Sequence, residues 1–207
     1  MSTHLYAFGS VCRGEIDRGS DVDLLACVDG PAPHIDPEKY SIYRHDRVRA
    51  LWNEGNPFAW HLHLESKLLF SSDGEDFLTE LGRPGRYRHF GSDARKFRTL
   101  FDQSYAALNE SVRCTTFHLS CIFLAIRNSA TCYSLAQERP VFSRNSPFLV
   151  EPALIMDEAA FAILTRARLL STRGFGENLS AEEVARTQKA VETVPSWMDL
   201  LWSQAAS

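Results

Sequence analysis

The chain has 207 residues, a formal net charge of −4, and a composition that is 44% hydrophobic and 23% charged. This hydrophobic content is sufficient for a folded core and excludes disorder along the whole chain. The small negative charge excludes a protein that coats nucleic acid through bulk positive charge, since such binding depends on neutralising phosphates with Lys and Arg.

Targeting signals and cysteines indicate the compartment. The first residues show no cationic region followed by a long apolar run, so no secretory signal is expected. No segment approaches the roughly 18 uncharged apolar residues of a membrane span. The 5 cysteines are odd in number and include no Cys-x-x-Cys pair. Together these features predict a cytoplasmic protein with reduced thiols and no membrane contact.

Short runs of β-branched and aromatic residues predict strands in the first 90 residues, with Gly- and Pro-containing turns between them. These runs are Leu5–Phe8, Val22–Val28, Tyr40–Tyr43 and Lys67–Phe70. A helix is predicted between the third and fourth strands, from Asp46 to Glu65, with an interruption at Gly55-Asn56-Pro57.

After residue 90 the apolar residues recur at intervals of three and four, which predicts helices. Phe117 to Ile126 is apolar on most sides and predicts a central helix. Ser180 and Glu183 have the spacing of a capping box, and Ser196 is predicted to cap a short final helix. The predicted fold class is therefore α+β, with a mixed-sheet domain at residues 1–90 and an all-α helical bundle at residues 91–207.

Two acidic residues at the start of the second predicted strand indicate a metal site. Asp21 and Asp23 are two positions apart, so on a strand their carboxylates project from the same face. Neighbouring carboxylates repel each other unless a cation lies between them, and Mg²⁺ prefers such hard oxygen ligands. Paired metal ions can stabilise both the attacking and the leaving oxygens of a phosphoryl displacement. The pair predicts binding of Mg²⁺ or Mn²⁺.

The turn after the first predicted strand has the features of a phosphate site. Gly9 allows the backbone to approach a ligand closely, and amides at a turn or helix start point towards an anion. Ser10 adds a hydroxyl donor, and Arg13 or Arg18 can neutralise phosphate charge nearby. This pattern predicts contacts to the outer phosphates of a nucleoside triphosphate.

Gly9-Ser10, Gly14, Ser20, Asp21, Asp23 and Leu24 match, in type and spacing, the motif of the polymerase-β-type nucleotidyltransferase superfamily. That motif is a Gly-Ser pair, a loop containing Gly, and Ser-Asp-x-Asp. The first half of the chain resembles the minimal and antibiotic-nucleotidyltransferase members, and the second half resembles the helical domains attached to them. The resemblance implies a nucleotidyltransferase domain at residues 1–90, with Asp21 and Asp23 as catalytic metal ligands. It places Gly9, Ser10 and Ser20 among the nucleotide-binding residues.

The superfamily has a third carboxylate on a later strand, but Tyr40–Tyr43 contains none, and Asp46 and Glu65 are the two candidates. Glu65 follows His61 by four positions, so on a helix both lie on one face, in a stretch that also resembles the superfamily. The pair either adds a third acidic group, which makes Glu65 catalytic, or fixes this helix to the sheet. His63 points elsewhere on such a helix, so a transition-metal site with His61 is not expected.

The sequence predicts Mg²⁺-dependent transfer of a nucleoside monophosphate, by default AMP from ATP, to a hydroxyl of a small-molecule or protein acceptor, with release of pyrophosphate. The acidic balance disfavours a nucleic-acid acceptor. The alternative is a weakly active or inactive nucleotide-binding, antitoxin-like interaction module, which the missing strand carboxylate favours. The acceptor, the preference for the donor base and the oligomeric state are left open.

Overall fold

The computed structural model describes residues 2–14, 22–110 and 113–205. The chain forms two compact units, Met1–Arg88 and His89–Ser207. The first unit contains a mixed four-stranded sheet, and the second is helical, which confirms the predicted α+β class. The functional division into domains at residues 1–90 and 91–207 stays a prediction.

Within its described residues, the first unit contains the sheet and four helices. The strands are β1 (Thr3–Phe8), β2 (Asp23–Val28), β3 (Tyr40–Arg44) and β4 (Ser66–Ser71). The helices are α1 (Ser10–Arg13), α2 (His45–Glu54), α3 (Pro57–Glu65) and α4 (Phe77–Glu80). The strand order is β3-β2-β1-β4, with β1 antiparallel to both of its neighbours and β2 parallel to β3.

The helix predicted from Asp46 to Glu65 is divided where the sequence indicated. Gly55 ends α2 in the left-handed conformation, with a φ of 65°. The Asn56 side chain then accepts a hydrogen bond from the Phe58 amide and caps α3, whose first residue is Pro57. Because the break falls at this turn, α3 leads directly into β4 and brings Glu65 to the end of the sheet.

Both faces of the sheet are covered near its centre. On one face, Tyr6, Phe8, Leu25 and Cys27 pack with apolar residues of α2 and α3, including Val48, Leu51, Trp52 and Leu62. On the other face, Ala26 and Val28 pack with Ile35. Alternation along β2 explains this division, since residues two apart share a face. Asp23 shares its face with Leu25 and Cys27, the face that the helices cover.

The second unit is built from helices: α5 (Phe90–Glu110), α6 (Thr115–Ala136), α7 (Ser146–Leu149), α8 (Glu158–Arg173), α9 (Ala181–Ala190), a 3₁₀ turn (Val191–Thr193) and α10 (Val194–Ala205). The predicted central helix is α6, which packs against α5, α7, α8 and α10. Phe117, in its first turn, is nevertheless 56% exposed. In the part of the chain that the structure describes, no helix is both long enough and apolar enough to cross a membrane.

The two predicted helix caps have different outcomes. The capping box is confirmed, because the Ser180 hydroxyl accepts from the Glu183 amide and the Glu183 carboxylate accepts from the Ser180 amide. The prediction that Ser196 caps the final helix is wrong. Helix α10 begins at Val194, directly after the 3₁₀ turn, so Ser196 lies inside its first turn and the helix continues from preceding helical backbone.

Candidate active site

Three segments of the first unit meet at one end of the sheet. Strand β1 ends at Phe8, which lies opposite Asp23 at the start of β2 and opposite Ser66 at the start of β4. Glu65 is the last residue of α3 and directly precedes Ser66. The antiparallel pairing of β1 with both neighbours therefore brings the Gly9-Ser10 turn, Asp23 and Glu65 to a common edge.

Gly9 is where the backbone approaches the Asp23 carboxylate most closely. Its φ of 79° and ψ of −143° lie in a region that side-chain-bearing residues rarely adopt. A Cβ at this position would lie 2.9 Å from Asp23 Oδ2 and 3.8 Å from His61 Cε1. Glycine is required here both for its backbone conformation and for the space that the carboxylate occupies.

The hydrogen bonds of this turn distinguish Gly9 from Ser10. The Gly9 amide donates to the Glu65 carbonyl oxygen at 3.0 Å, and the Cys12 amide donates to the Gly9 carbonyl oxygen at 3.0 Å. The Gly9 amide is therefore engaged with the end of α3. Ser10 is the first residue of α1, and amides at the start of a helix have no acceptor within it. The amides of Ser10 and Val11, in the first turn of this short helix, are therefore the candidates for contact with an anion.

Glu65 lies at the centre of a cluster of polar side chains. His61 Nε2 is 2.9 Å from Glu65 Oε2, as the spacing of four on α3 predicts. The Arg13 guanidinium, which comes from α1, donates to the same oxygen. The exposed fractions of the three side chains are small, 19% for Arg13, 17% for His61 and 11% for Glu65. The cluster ties α1 to α3 beside the turn.

The contact of Arg13 with Glu65 is one that the sequence reasoning missed. The sequence suggested phosphate binding for Arg13, and the structure places its guanidinium against the Glu65 carboxylate, 52 positions away in the chain. Local spacing carries no signal for a contact of this separation.

The contacts of two other side chains, Cys12 and His63, are typical of structural residues. Cys12 donates a hydrogen bond from Sγ to the Ala7 carbonyl oxygen, and burial raises the pKa of its thiol, so it is not an activated thiolate. His63 packs edge-on against Trp52 and Trp60, and burial, with the nearby Arg83, lowers its pKa. His61 and His63 point apart, as expected for residues two apart on a helix.

The remaining predicted residues fall elsewhere. Ser20 and Asp21 lie outside the residues that the structure describes, as does Arg18. Asp46 follows the end of β3, which runs parallel to β2, and is therefore at the opposite end of the sheet from Asp23. It is exposed, near Arg44. Of the two candidates for a third carboxylate, only Glu65 lies at the edge that holds Asp23.

The donor chemistry of this edge fits a divalent cation. The described residues contain no group of three or more His, Cys, Asp or Glu side chains arranged to hold a metal ion. Asp23 is exposed at the edge, and its carboxylate lies against the space left by the missing Cβ of Gly9. Carboxylate oxygens are the ligands that Mg²⁺ and Mn²⁺ prefer. Asp23 and Asp21, two positions before it in the sequence, are the residues that could hold such an ion.

Comparison with known proteins agrees with this geometry. Residues 2–80 match the family model described as a nucleotidyltransferase domain. The match covers the sheet, the Gly9-Ser10 turn, Asp23 and Glu65. No curated protein and no solved structure gives a significant match. The match of residues 2–80 is consistent with a domain of the polymerase-β-type nucleotidyltransferase superfamily.

Proposed function

We propose that the protein transfers a nucleoside monophosphate, by default AMP from ATP, to a hydroxyl group of a small molecule or a protein and releases pyrophosphate. The observation that carries this proposal is the approach of the Asp23 carboxylate to the Gly9 backbone, where a Cβ would lie 2.9 Å from Oδ2. A metal-binding oxygen and an anion-binding turn at one edge are what a metal-triphosphate requires. The family match supports nucleotidyl transfer in general.

In this proposal, different residues at the Gly9-Ser10 edge bind different parts of the metal-nucleotide donor. The amides of Ser10 and Val11, with the Ser10 hydroxyl, hold the outer phosphates. Gly9 keeps the backbone close to Asp23, and Ser20 belongs to the same motif. Asp21 and Asp23 hold Mg²⁺ or Mn²⁺. When bound, the ion neutralises charge on the triphosphate and stabilises the charge that develops during transfer.

In the proposed reaction the oxygen of the acceptor hydroxyl attacks the α-phosphorus, and the proton of the hydroxyl passes to water. The bond from the α-phosphorus to the bridging oxygen of the β-phosphate breaks, and pyrophosphate leaves with the electron pair. Glu65 takes part by holding Arg13 beside the turn, where the guanidinium can also face a phosphate, and His61 fixes the same carboxylate. An ion pair with so little exposure restricts the rotamers of both partners, which favours positioning.

The direct test is incubation of the protein with α-labelled ATP, Mg²⁺ and a cell lysate, followed by separation of labelled protein from labelled small molecules. We expect label on one acceptor class and release of pyrophosphate. Chelation of the divalent cation abolishes both. Asp23→Asn lowers the rate by about a thousandfold, because metal-held charge stabilisation is worth several kcal/mol and each ~1.4 kcal/mol is a factor of ten.

The matched control is Asp36→Asn, which removes an exposed carboxylate of the same unit in the segment that precedes β3. This variant should transfer at the wild-type rate. Transfer that persists in Asp23→Asn, or that needs no divalent cation, contradicts the proposed site.

A second candidate function is a nucleotide-binding, antitoxin-like interaction module with little or no turnover. One observation favours it: both Arg13 and His61 contact the Glu65 carboxylate, so the third acidic group is already engaged. Such a module binds ATP with Mg²⁺, loses that affinity in Asp23→Asn, and labels no acceptor. Equilibrium binding of ATP measured beside the transfer assay separates the two functions.

The proposed activity also bears on the cellular location of the protein and on its acceptor. We infer a cytoplasmic protein, because its substrate is a nucleoside triphosphate and its cysteines, in the described residues, are free thiols. The net charge of −4 favours a small-molecule or protein acceptor over a nucleic-acid end. The labelling experiment tests the acceptor class directly.

A further inference from the structure

Two buried histidines face each other at the end of the sheet opposite Asp23. His4 lies on β1 and His45 is the first residue of α2, and they are 3% and 5% exposed. His4 Nδ1 and His45 Nε2 are 3.2 Å apart, a hydrogen-bond distance between residues 41 positions apart. Buried histidines in direct contact through ring nitrogens require a specific arrangement of protons, because each nitrogen either donates or accepts.

The outer nitrogen of each ring faces a carboxylate. His45 Nδ1 is 2.5 Å from Asp29 Oδ1, and His4 Nε2 is 3.0 Å from Asp73 Oδ1. Asp29 follows β2 and Asp73 follows β4, so four segments of the chain meet here. The four side chains form a continuous hydrogen-bonded chain, Asp29–His45–His4–Asp73, which we call the histidine clamp.

Both carboxylates are held in the ionised form. Hydrogen bonds from the Ser2 side chain and amide, and from His45, lower the pKa of Asp29 to about 2. Hydrogen bonds from the Ser71 hydroxyl and the Glu75 amide, and from His4, lower the pKa of Asp73. An ionised carboxylate only accepts hydrogen bonds. The outer nitrogens of both rings must therefore carry protons.

This requirement restricts the protonation of the two inner nitrogens, His4 Nδ1 and His45 Nε2. A neutral imidazole has one N–H, and in each ring that proton is already placed on the outer nitrogen. Two neutral rings would then present two lone pairs to each other at 3.2 Å, inside the protein. A third proton between the rings removes this repulsion and forms a charge-assisted hydrogen bond, which is stronger than a neutral one.

We propose that the histidine clamp binds one proton between His4 and His45 at neutral pH, and that this proton makes the stability of the nucleotidyltransferase unit sensitive to pH. The clamp then contains three imidazole protons and a net charge of −1. It connects β1, α2 and the segments that follow β2 and β4. This inference does not depend on the proposed transfer reaction, because the clamp and Asp23 lie at opposite ends of the sheet.

The other groups around the clamp are compatible with a single positive charge. Phe77 of α4 stacks near both rings, with centroid distances of 5.7 Å to His4 and 4.1 Å to His45. The Arg49 guanidinium of α2 lies 4.9 Å from the Phe77 centroid. Further titratable neighbours are Cys27, which pairs with His4 in the sheet and whose pKa burial raises to about 12, and Asp76, which accepts a hydrogen bond from Tyr6.

The number of protons bound determines how stability depends on pH. Two unfolded histidines bind two protons well below pH ~6.5 and none well above it, whereas the folded clamp binds one. Below that pH the unfolded state binds more protons, so stability increases as pH rises. Above it the folded state binds more, so stability decreases as pH rises. The contribution of the clamp to stability should therefore be greatest near pH 6.5 and decrease on both sides.

The first experiment is NMR of the ¹⁵N-labelled wild-type protein near pH 6.5, with the imidazole signals of His4 and His45 assigned. The result expected is three imidazole protons on the two rings, one of them coupled to both inner nitrogens or exchanging between them. Two neutral rings, with one donating to the other, overturn the proposal. This measurement needs no variant and so does not depend on a variant that folds.

The second experiment is urea unfolding followed at NMR signals of β1 and β2 between pH 5 and pH 8.5. We expect the unfolding equilibrium constant of the wild type to increase by up to tenfold per pH unit above pH ~7. His45→Gln should lose this increase, and His34→Gln, at an exposed position, should keep it. A wild-type constant that stays level or decreases above pH 7 overturns the proposal.

Discussion

Each end of the sheet has an aspartate next to or at the end of β2, and the two carboxylates have different surroundings. Asp23 begins β2 and is exposed, beside a glycine whose missing side chain leaves space at the carboxylate. Asp29 follows the end of the same strand and accepts hydrogen bonds from the Ser2 amide, the Ser2 hydroxyl and His45. Asp29 is therefore held by hydrogen bonds within the protein, whereas the close approach of Asp23 to Gly9 supports our proposal of a ligand site at that end.

This difference shows that an acidic residue at a strand end is not sufficient evidence of a site. A carboxylate that already accepts several hydrogen bonds must lose some of them before it can bind a cation, which opposes a ligand at Asp29. The histidine clamp connects segments at one end of the sheet, and we propose that the Gly9-Ser10 edge at the other end carries the chemistry. The predictions below test this division, beginning with the largest expected effect.

The largest effect should come from comparing Asp23→Asn with Asp29→Asn. Asp23→Asn should lower nucleotidyl transfer by about a thousandfold and leave the midpoint temperature of unfolding nearly unchanged, because the residue is exposed. Asp29→Asn should leave transfer nearly unchanged and lower the midpoint, because it weakens the contacts to Ser2 and His45. The measurements are initial transfer rates and thermal unfolding of both variants. If Asp29→Asn loses transfer while it stays folded, the division between the two ends fails.

Gly9→Ala tests the close approach at the turn. The left-handed φ of 79° should cost about 1–3 kcal/mol in an alanine, and the added Cβ would lie 2.9 Å from Asp23 Oδ2. We expect lower stability together with weaker Mg²⁺-dependent binding of ATP, measured by urea unfolding and by titration calorimetry.

The matched control is Gly82→Ala, which has a similar φ of 65° but nothing within 4 Å of the added Cβ. This variant should be less stable and bind ATP normally. Normal binding of ATP by Gly9→Ala would show that the space at Gly9 is not part of the nucleotide site.

The smallest expected effect is a loss of folding stability at low pH. The pKa of Asp29 is lowered from 3.8 to about 2 in the folded protein. Because the folded value is below the unfolded one, the stability that Asp29 contributes is present above pH 3.8 and is lost as pH falls towards 2. Urea unfolding of the first unit should show this loss in the wild type, and Asp29→Asn should show less of it in the same interval. An equal slope in both proteins contradicts this assignment.

Local patterns in the sequence predicted much of this edge. Alternation and turn residues located β1, β2, β3 and β4 to within a few residues, and glycine next to a hydroxyl residue indicated the turn at Gly9. The spacing of four between His61 and Glu65 predicted their contact, and the Ser180 capping box was correct. Each of these signals depends on residues close together in the chain, where backbone geometry alone sets the distance.

Contacts between distant segments were not predictable in this way. Arg13 meets Glu65 because α1 and α3 both lie at the end of β1 that pairs with the start of β4. His4 meets His45 because the start of β1 and the start of α2 lie at the same end of the sheet. Phe117 is exposed although its neighbours in the sequence predicted a buried helix, since only the first turn of α6 projects beyond the core. These outcomes depend on packing between elements, which residue spacing does not encode.

The sequence by itself determined the class of fold, the position of the glycine-serine turn and the acidic motif that contains Asp21 and Asp23. It did so because period, turn chemistry and short motifs are local properties of the chain. Only the tertiary structure decided that Asp23 lies against Gly9, that Glu65 rather than Asp46 shares this edge, and that two histidines 41 residues apart meet in the interior. Strand order and register bring these groups together, and both are properties of the packed sheet.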